Sequence, residues 1–183
     1  MKIVNPDSGQ RVEHGEEGLI LVRGANRMKG YLNRPDKTEE VFEGPWYITG
    51  DIGQLDDDGF LFITDRLARF SKIGGEMVPH IKIETRLNEI CKELGEDCEC
   101  VVTSVPDDRK GEKLVVLHTI RDLEIDRVYE KLTDSGLPSI WMPRRDAFHS
   151  VDEIPKLGSG KLDVQSVKEQ ADKLETKEST TRG

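Results

Sequence analysis

Asp65-Arg66-Leu67-Ala68-Arg69-Phe70-Ser71-Lys72-Ile73-Gly74-Gly75-Glu76-Met77-Val78 is the stretch on which the fold turns. Arg69 to Ile73 and Glu76 to Val78 are β-prone runs, and Gly74-Gly75 between them supplies the positive φ that a two-residue hairpin turn requires. A second hairpin lies just before it. There Ile52 to Leu55 and Phe60 to Thr64 are joined by Asp56-Asp57-Asp58-Gly59, whose Asp-Gly meets the same backbone demand. The acidic run reads as a turn, because a calcium loop needs a twelve-residue ligand pattern ending in Glu and Phe60 to Thr64 interrupts it. Two hairpins separated by a charged dipeptide place a boundary near Asp65.

Working outward toward the N-terminus, Leu19-Ile20-Leu21-Val22 sits between Gly18 and Gly24 with the length and punctuation of a buried strand. Pro35, Asp36 and Glu39 mark a helix start, so a short helix carries Lys37 to Phe42 and Gly44-Pro45 ends it. In the other direction, Ile83, Leu87, Ile90 and Leu94 recur at helical spacing, predicting a helix over 80–94 with Gly95 as its C-cap. Cys100 to Ser104 and Leu114 to Ile120 read as strands around a turn-rich loop, Pro106 to Gly111. Ile125, Val128 and Leu132 give a second amphipathic helix, Pro138 and Pro143 bracket Trp141, Arg145 to Val151 reads as a strand, and Val164 to Leu174 as a last helix. Strands and helices mixed without strict alternation imply an α+β fold. The expected organisation is a β-rich unit over 1–65, a mobile α+β unit over 66–174 with a hairpin and small sheet packed by helices, and a flexible tail over 175–183.

The chain has 183 residues, 36 acidic against 27 basic, and a net charge of −9. That field repels phosphate polymers, so nucleic acid is not an expected partner. No apolar run reaches the roughly 18–20 residues needed to cross a bilayer, and Met1-Lys2-Ile3-Val4-Asn5-Pro6 lacks a signal-peptide core, so a cytoplasmic location is expected for the chain. Cys91, Cys98 and Cys100 leave an odd count with no second cluster, and they are expected to be reduced thiols rather than a metal or redox site, which would need His80 or an acid as a further ligand. No Gly-x-Ser-x-Gly occurs, and none of His14, His80, His118 and His149 is followed five positions later by Asp.

Gly158-Ser159-Gly160-Lys161 has glycines that let backbone N–H groups approach oxygens and a lysine for charge, but Pro155 stands where a Walker loop wants Gly and Leu162 where it wants Ser or Thr. Tyr47-Ile48-Thr49-Gly50-Asp51 puts a carboxylate at a strand entrance, where it suits paired hydroxyls such as those of a ribose. Arg66, at the junction, has a fork able to reach a sugar or a phosphate. Taken singly, these are a turn, a strand-start acid and a surface ion pair.

Taken in order, Gly18-Leu19-Ile20-Leu21-Val22-Arg23-Gly24, Met28-Lys29-Gly30-Tyr31-Leu32, Trp46 to Asp51, Asp65-Arg66, Glu84 and Ile154 to Lys161 resemble the C-terminal end of the AMP-forming acyl-adenylate synthetases, the superfamily of acyl-CoA ligases, luciferase and peptide-synthetase adenylation domains. Within it, Arg69 to Val78 and Leu157 to Lys161 are most similar to the synthetase half of the bifunctional 2-acylglycerophosphoethanolamine acyltransferase/acyl-[acyl-carrier-protein] synthetases; a long-chain acyl-CoA ligase is the alternative. The resemblance implies ATP-dependent activation of a fatty acid to acyl-AMP, then transfer to a carrier-protein or coenzyme A thiol. It implies Asp51 on the ribose, Arg66 at the nucleotide, Lys161 on the carboxylate and α-phosphate, and Lys72 and Gly75 in the thioester step after rotation about a hinge at Asp65-Arg66. Ala68, where relatives often carry Lys or Asp, departs from that pattern. The phosphate loop, the acyl pocket and most of the magnesium ligation belong to an N-terminal adenylation domain outside this sequence, so the chain is expected to be a fragment with little activity alone. A bifunctional parent would associate with the inner membrane. A module that binds a carrier protein without chemistry, through Arg69, Lys72, Arg144 and Arg145, is the reading of a different class.

Overall fold

The computed structural model describes residues 1–95, 98–120 and 125–181, which divide into two compact units, Met1–Ala68 and Arg69–Gly183. The first unit is built on one antiparallel sheet. Its elements are β1 (Lys2–Val4), β2 (Gly18–Val22), the helix α1 (Pro35–Glu40), β3 (Phe42–Glu43), β4 (Trp46–Leu55) and β5 (Leu61–Arg66). β1, β2 and β4 are neighbours in that order, and β3 and β5 share the far edge of β4. Ile3, Val4, Leu19, Ile20, Leu21 and Ile52 make its core, so the run Leu19 to Leu21 is buried as its composition requires. β4 is longer than the alternating stretch from Ile52 suggests, because Trp46 to Ile48 pair with β2 and β3. Gly53 has a steric reason to be glycine: a Cβ there would lie 2.4 Å from the Phe62 carbonyl oxygen and 2.9 Å from Ile20 Cδ1.

The second unit opens with the expected hairpin, β6 (Phe70–Ile73) and β7 (Glu76–Pro79). Gly74 and Gly75 between them have φ of 59° and 92°, the mirror-image turn that matches strand twist. Then come α2 (His80–Glu93), β8 (Cys100–Asp107), β9 (Gly111–His118), α3 (Ile125–Thr133), β10 (Phe148–Ser150) and α4 (Val164–Thr181). The sheet runs β10-β9-β6-β7, with β8 also paired to β9 and only β10 parallel. Both faces of the β8–β9 ribbon are buried. Cys100, Val102, Leu114 and Val116 point into a cluster with Ile83, Leu87 and Ile90 of α2 and Val128 and Leu132 of α3, while Val101, Val105, Val115 and Leu117 meet Val167 and Ala171 of α4. Two-sided burial explains why Val101-Val102 and Leu114 to Leu117 read as continuous apolar runs rather than alternating ones. Each fully buried Leu or Ile contributes about 1.5–3 kcal/mol to holding the layers together.

Several expectations differ from the structure. Pro106 and Asp107 continue β8 and pair with Glu112 and Gly111, so only 108–110 form the turn. The last helix does not stop at Leu174. Glu175 lies within it, ion-paired to Lys113 of β9 and 2.9 Å from His149 Nε2 of β10, a polar anchor invisible to an apolar count. The cysteines are not all reduced: the end of α2 brings Cys91 to Cys98 with a Cα separation of 6.5 Å and the two form a disulfide, leaving Cys100 as a buried free thiol.

His80, the first residue of α2, is buried and hydrogen-bonds Ser71 of β6. Burial, then the Arg69 and Lys168 charges, push its imidazole down from 6.5 to about 3. Below pH 6.5 the unfolded chain therefore binds a proton that the folded chain refuses, so stability is whole above that pH and falls as pH drops toward 3. The expected slope from this group is at most about 1.4 kcal/mol per pH unit. Urea midpoints measured across that window should flatten in His80→Gln; parallel curves would assign the acid sensitivity to another group.

Candidate functional site

The Asp51 carboxylate is placed by a bulge. Leu19 pairs with Ile52 and Leu21 with Ile48, so two steps along β2 cover four along β4, and the extra residues leave the ladder. Bulges of this kind re-aim side chains. Gly50, at φ 75°, takes the bend, and Thr49 pins it by donating its hydroxyl to the Ile20 carbonyl at 2.8 Å while accepting the Asp51 N–H at 3.0 Å. Asp51 pairs across the sheet with Arg66, whose Nε lies 2.9 Å from Oδ1. The carboxylate keeps 27% of its surface and the guanidinium 68%, so the structure brings these two predicted residues together as an accessible, charge-balanced pair. The neighbouring Tyr47 phenol is pushed up by its hydrogen bond to Tyr31 and then by burial. A carboxylate near a phenol and beside an arginine fork offers acceptors and donors suited to vicinal hydroxyls. Thr49, Tyr31 and Tyr47 were not singled out for roles in the sequence; the Thr-Gly-Asp order was the signal for the first.

In the second unit, Lys161 sits on a stapled turn. Lys156 and Leu162 form an antiparallel bridge, the Leu157 N–H donates to the Lys161 carbonyl at 2.8 Å, and Gly160, at φ 78°, closes the turn by donating to the Leu157 carbonyl. Ile154 and Leu162 pack on the α4 face of the sheet. Beyond the turn Asp163 caps α4, accepting the Ser166 N–H at 3.1 Å, and that bond leads in holding its carboxyl below the usual range. Lys156 adds a second tie, its ammonium 2.6 and 2.8 Å from the two Glu99 oxygens. With the base so fixed, the Lys161 side chain is exposed, and its ammonium meets no acid among the described residues. A lone cation on a held loop is free to meet an anion at small reorganisation cost.

Lys72 and Gly75 lie on the β6–β7 hairpin. The Lys72 N–H donates to Glu112 Oε2 at 2.6 Å, the Gly74 N–H to the Lys110 carbonyl at 2.9 Å, and Glu112 also accepts the Ser104 hydroxyl at 2.8 Å, so the turn is braced on the β8–β9 ribbon. Of the four basic residues offered as a docking face, Arg69 is not available. It is 8% exposed and ion-paired to Glu84 of α2, because an arginine at the first position of the unit is enclosed by the helix that folds over it. Arg144 and Arg145 are exposed and paired with Asp146 and Asp126. No helix among the described residues is long and apolar enough to cross a membrane.

No protein-family model matches the chain. Its relatives are nevertheless of one kind, AMP-forming acyl-CoA and aryl-CoA ligases. The 2-succinylbenzoate–CoA ligase of Bacillus pumilus is 40% identical over 162 residues, covering 85% of this chain and 30% of the relative. The o-succinylbenzoate CoA synthetase (MenE) of Bacillus subtilis, solved with the acyl-adenylate intermediate OSB-AMP, superposes with a TM-score of 0.68 at 27% identity, over 92% of this chain and 33% of that one. The ATP-bound MatB of Rhodopseudomonas palustris gives a TM-score of 0.71 at 26% identity, over 92% and 33%. The mixed α/β architecture thus matches the C-terminal part of acyl-CoA synthetase-like folds, and the chain spans about a third of the length of the proteins it matches.

Proposed function

We propose that this chain is the C-terminal part of an ATP-dependent, AMP-forming ligase that activates a fatty acid as acyl-AMP and passes the acyl group to an acyl-carrier-protein thiol. The observation that carries the reading is Lys161, held at the tip of a stapled turn with its charge unspent among the described residues. In this proposal Lys161 neutralises negative charge building on the carboxylate and α-phosphate during adenylation. Asp51, oriented by Thr49 and Arg66, accepts the ribose hydroxyls, and Arg66 assists at the nucleotide. Lys72 and Gly75 serve the thioester step from the braced hairpin. Asp51 and Arg66 fit a nucleoside by donor chemistry; magnesium and the β- and γ-phosphates fall to an adenylation body outside this chain, consistent with the third of its relatives that it spans.

Coenzyme A as acceptor is the second reading, and the ligase relatives favour it. Adding a separately expressed N-terminal adenylation body should restore ATP–pyrophosphate exchange that neither piece shows alone; no exchange with any fatty acid would overturn the assignment. Offering the restored pair carrier protein and coenzyme A in turn separates the two acceptors by which thioester accumulates.

A further inference from the structure

We propose that Cys91, Cys98 and Cys100, when reduced, form a three-thiolate site for a soft monovalent cation of the Cu(I) type. Three separate positions in the fold converge to make it. Cys91 comes from the last turn of α2, Cys98 from the stretch entering the sheet, and Cys100 is the first residue of β8, on the face turned toward α2. Their sulfur atoms all lie within 4.8 Å of one another. An ion about 2.3 Å from each of three sulfurs in a plane needs them roughly 4 Å apart; the bonded Cys91–Cys98 edge must open to that spacing on reduction, with Cys100 already within reach of both.

Three features select the ligand class. The donors are thiolates, which favour soft ions. They number three, whereas structural zinc almost always takes four protein ligands, and among the described residues no histidine or carboxylate joins the group. The surroundings are apolar: Cys91 is 1% and Cys100 8% exposed within the cluster built on Ile83, Leu87 and Ile90. An apolar pocket disfavours bare thiolates, so the site, whose net charge with Cu(I) is −2, must be held by covalent soft-ion–sulfur bonding rather than by charge balance.

The disulfide alone does not explain the arrangement, because it uses two of the three sulfurs. Disulfide and metal site are alternative states of one pocket. A dithiol delivers two electrons and its two thiol protons to the Cys91–Cys98 bond and leaves as its own disulfide; a phosphine delivers two electrons and leaves as its oxide, water supplying the oxygen and the two protons that complete the thiols. Each Cu–S bond then forms as one thiol proton passes to buffer. None of this depends on the ligase reading.

The test uses the whole chain, reduced with a phosphine under anaerobic conditions and titrated with Cu(I) held by bathocuproine disulfonate. One Cu(I) per chain should be withdrawn from the chelator, and copper-edge X-ray absorption on the unsubstituted chain should show three sulfur neighbours. Cys98→Ser, at the half-buried corner, and Cys100→Ser should each weaken binding by at least about 100-fold, the upper end of what losing a mere outer partner costs. Circular dichroism checks that both variants remain folded. No competition with the chelator, two sulfur neighbours, or Cys100→Ser binding as tightly as the unsubstituted chain would each overturn the proposal, and the absorption measurement decides even where a variant fails to fold.

Discussion

Lys161→Ala should reduce ATP–pyrophosphate exchange of the reconstituted ligase by about 10²–10³-fold, the loss typical of removing one preorganised charge or donor from a transition state. Adenylation gathers negative charge on the α-phosphate, and an ammonium delivered there from a fixed loop needs no reorientation at the moment of reaction. The loop is fixed independently of the side chain, by the Leu157 and Gly160 turn bonds, the Lys156–Glu99 pair and the Asp163 cap. Because Lys161 is exposed and meets no acid among the described residues, its truncation should leave the unfolding midpoint unchanged, separating lost chemistry from lost structure. Transfer from supplied acyl-AMP to the thiol should proceed at close to the unsubstituted rate, since the charge is needed in the first half-reaction only. Exchange undiminished in Lys161→Ala would remove Lys161 from the chemistry; equal losses in both half-reactions would make it a general binding residue.

Local signals were legible where a single turn or period carries them. Gly74-Gly75 and Asp58-Gly59 specify hairpins through backbone torsion alone, and the Ile83, Leu87, Ile90 spacing specifies α2, because a stretch of at most about two helical turns contains the whole cause. Asp51, Arg66 and Lys161 could be proposed from short motifs, yet what places Asp51 and Lys161 lies elsewhere in the chain. The bulge that takes Asp51 out of the β2–β4 ladder, while it stays paired with Arg66 of β5, is a register shift against β2, and Thr49 reaches the Ile20 carbonyl 29 residues away. Lys156 is tied to Glu99 across 57 positions, and Glu175 to Lys113 across 62, so neither the held turn of Lys161 nor the extended last helix follows from its own neighbourhood. The cysteines show the same limit. Their count and spacing suggested thiols, but the pairing depends on where the end of α2 meets the entrance to β8. Arg69 looked like surface because charge is usually outside; a single partner, Glu84, was enough to enclose it.

That enclosed pair yields the largest stability effect expected anywhere in the second unit. Glu84→Ala should cost about 3–5 kcal/mol, measured by urea unfolding, because it strands a charge that has already lost its water. Arg69 and Glu84 keep only 9% and 14% of their side-chain surface. One Glu84 oxygen holds the Arg69 guanidinium and the other accepts the Val102 N–H at 2.6 Å, on a strand whose only ladder partner is β9. Truncation therefore leaves a buried cation and a buried donor unmatched. Glu84→Gln separates them. The amide oxygen can still take the Val102 N–H while Arg69 loses its counter-charge, so most of the loss should persist if charge dominates. Adding Arg69→Met to Glu84→Gln removes the stranded cation and should recover more than half of that loss, since an apolar replacement for a buried pair is commonly neutral or better. If Glu84→Ala costs less than about 1 kcal/mol, the ordinary range of an exposed pair, the guanidinium has found water and the enclosure is not real. If Glu84→Gln keeps most of the stability that Glu84→Ala loses, the energy resides in the Val102 bond rather than in the ions. The position gives the pair its consequence: Arg69 is the first residue of the second unit, and its anchorage to α2 and, through Glu84, to β8 fixes where the chain enters the hairpin bearing Lys72 and Gly75.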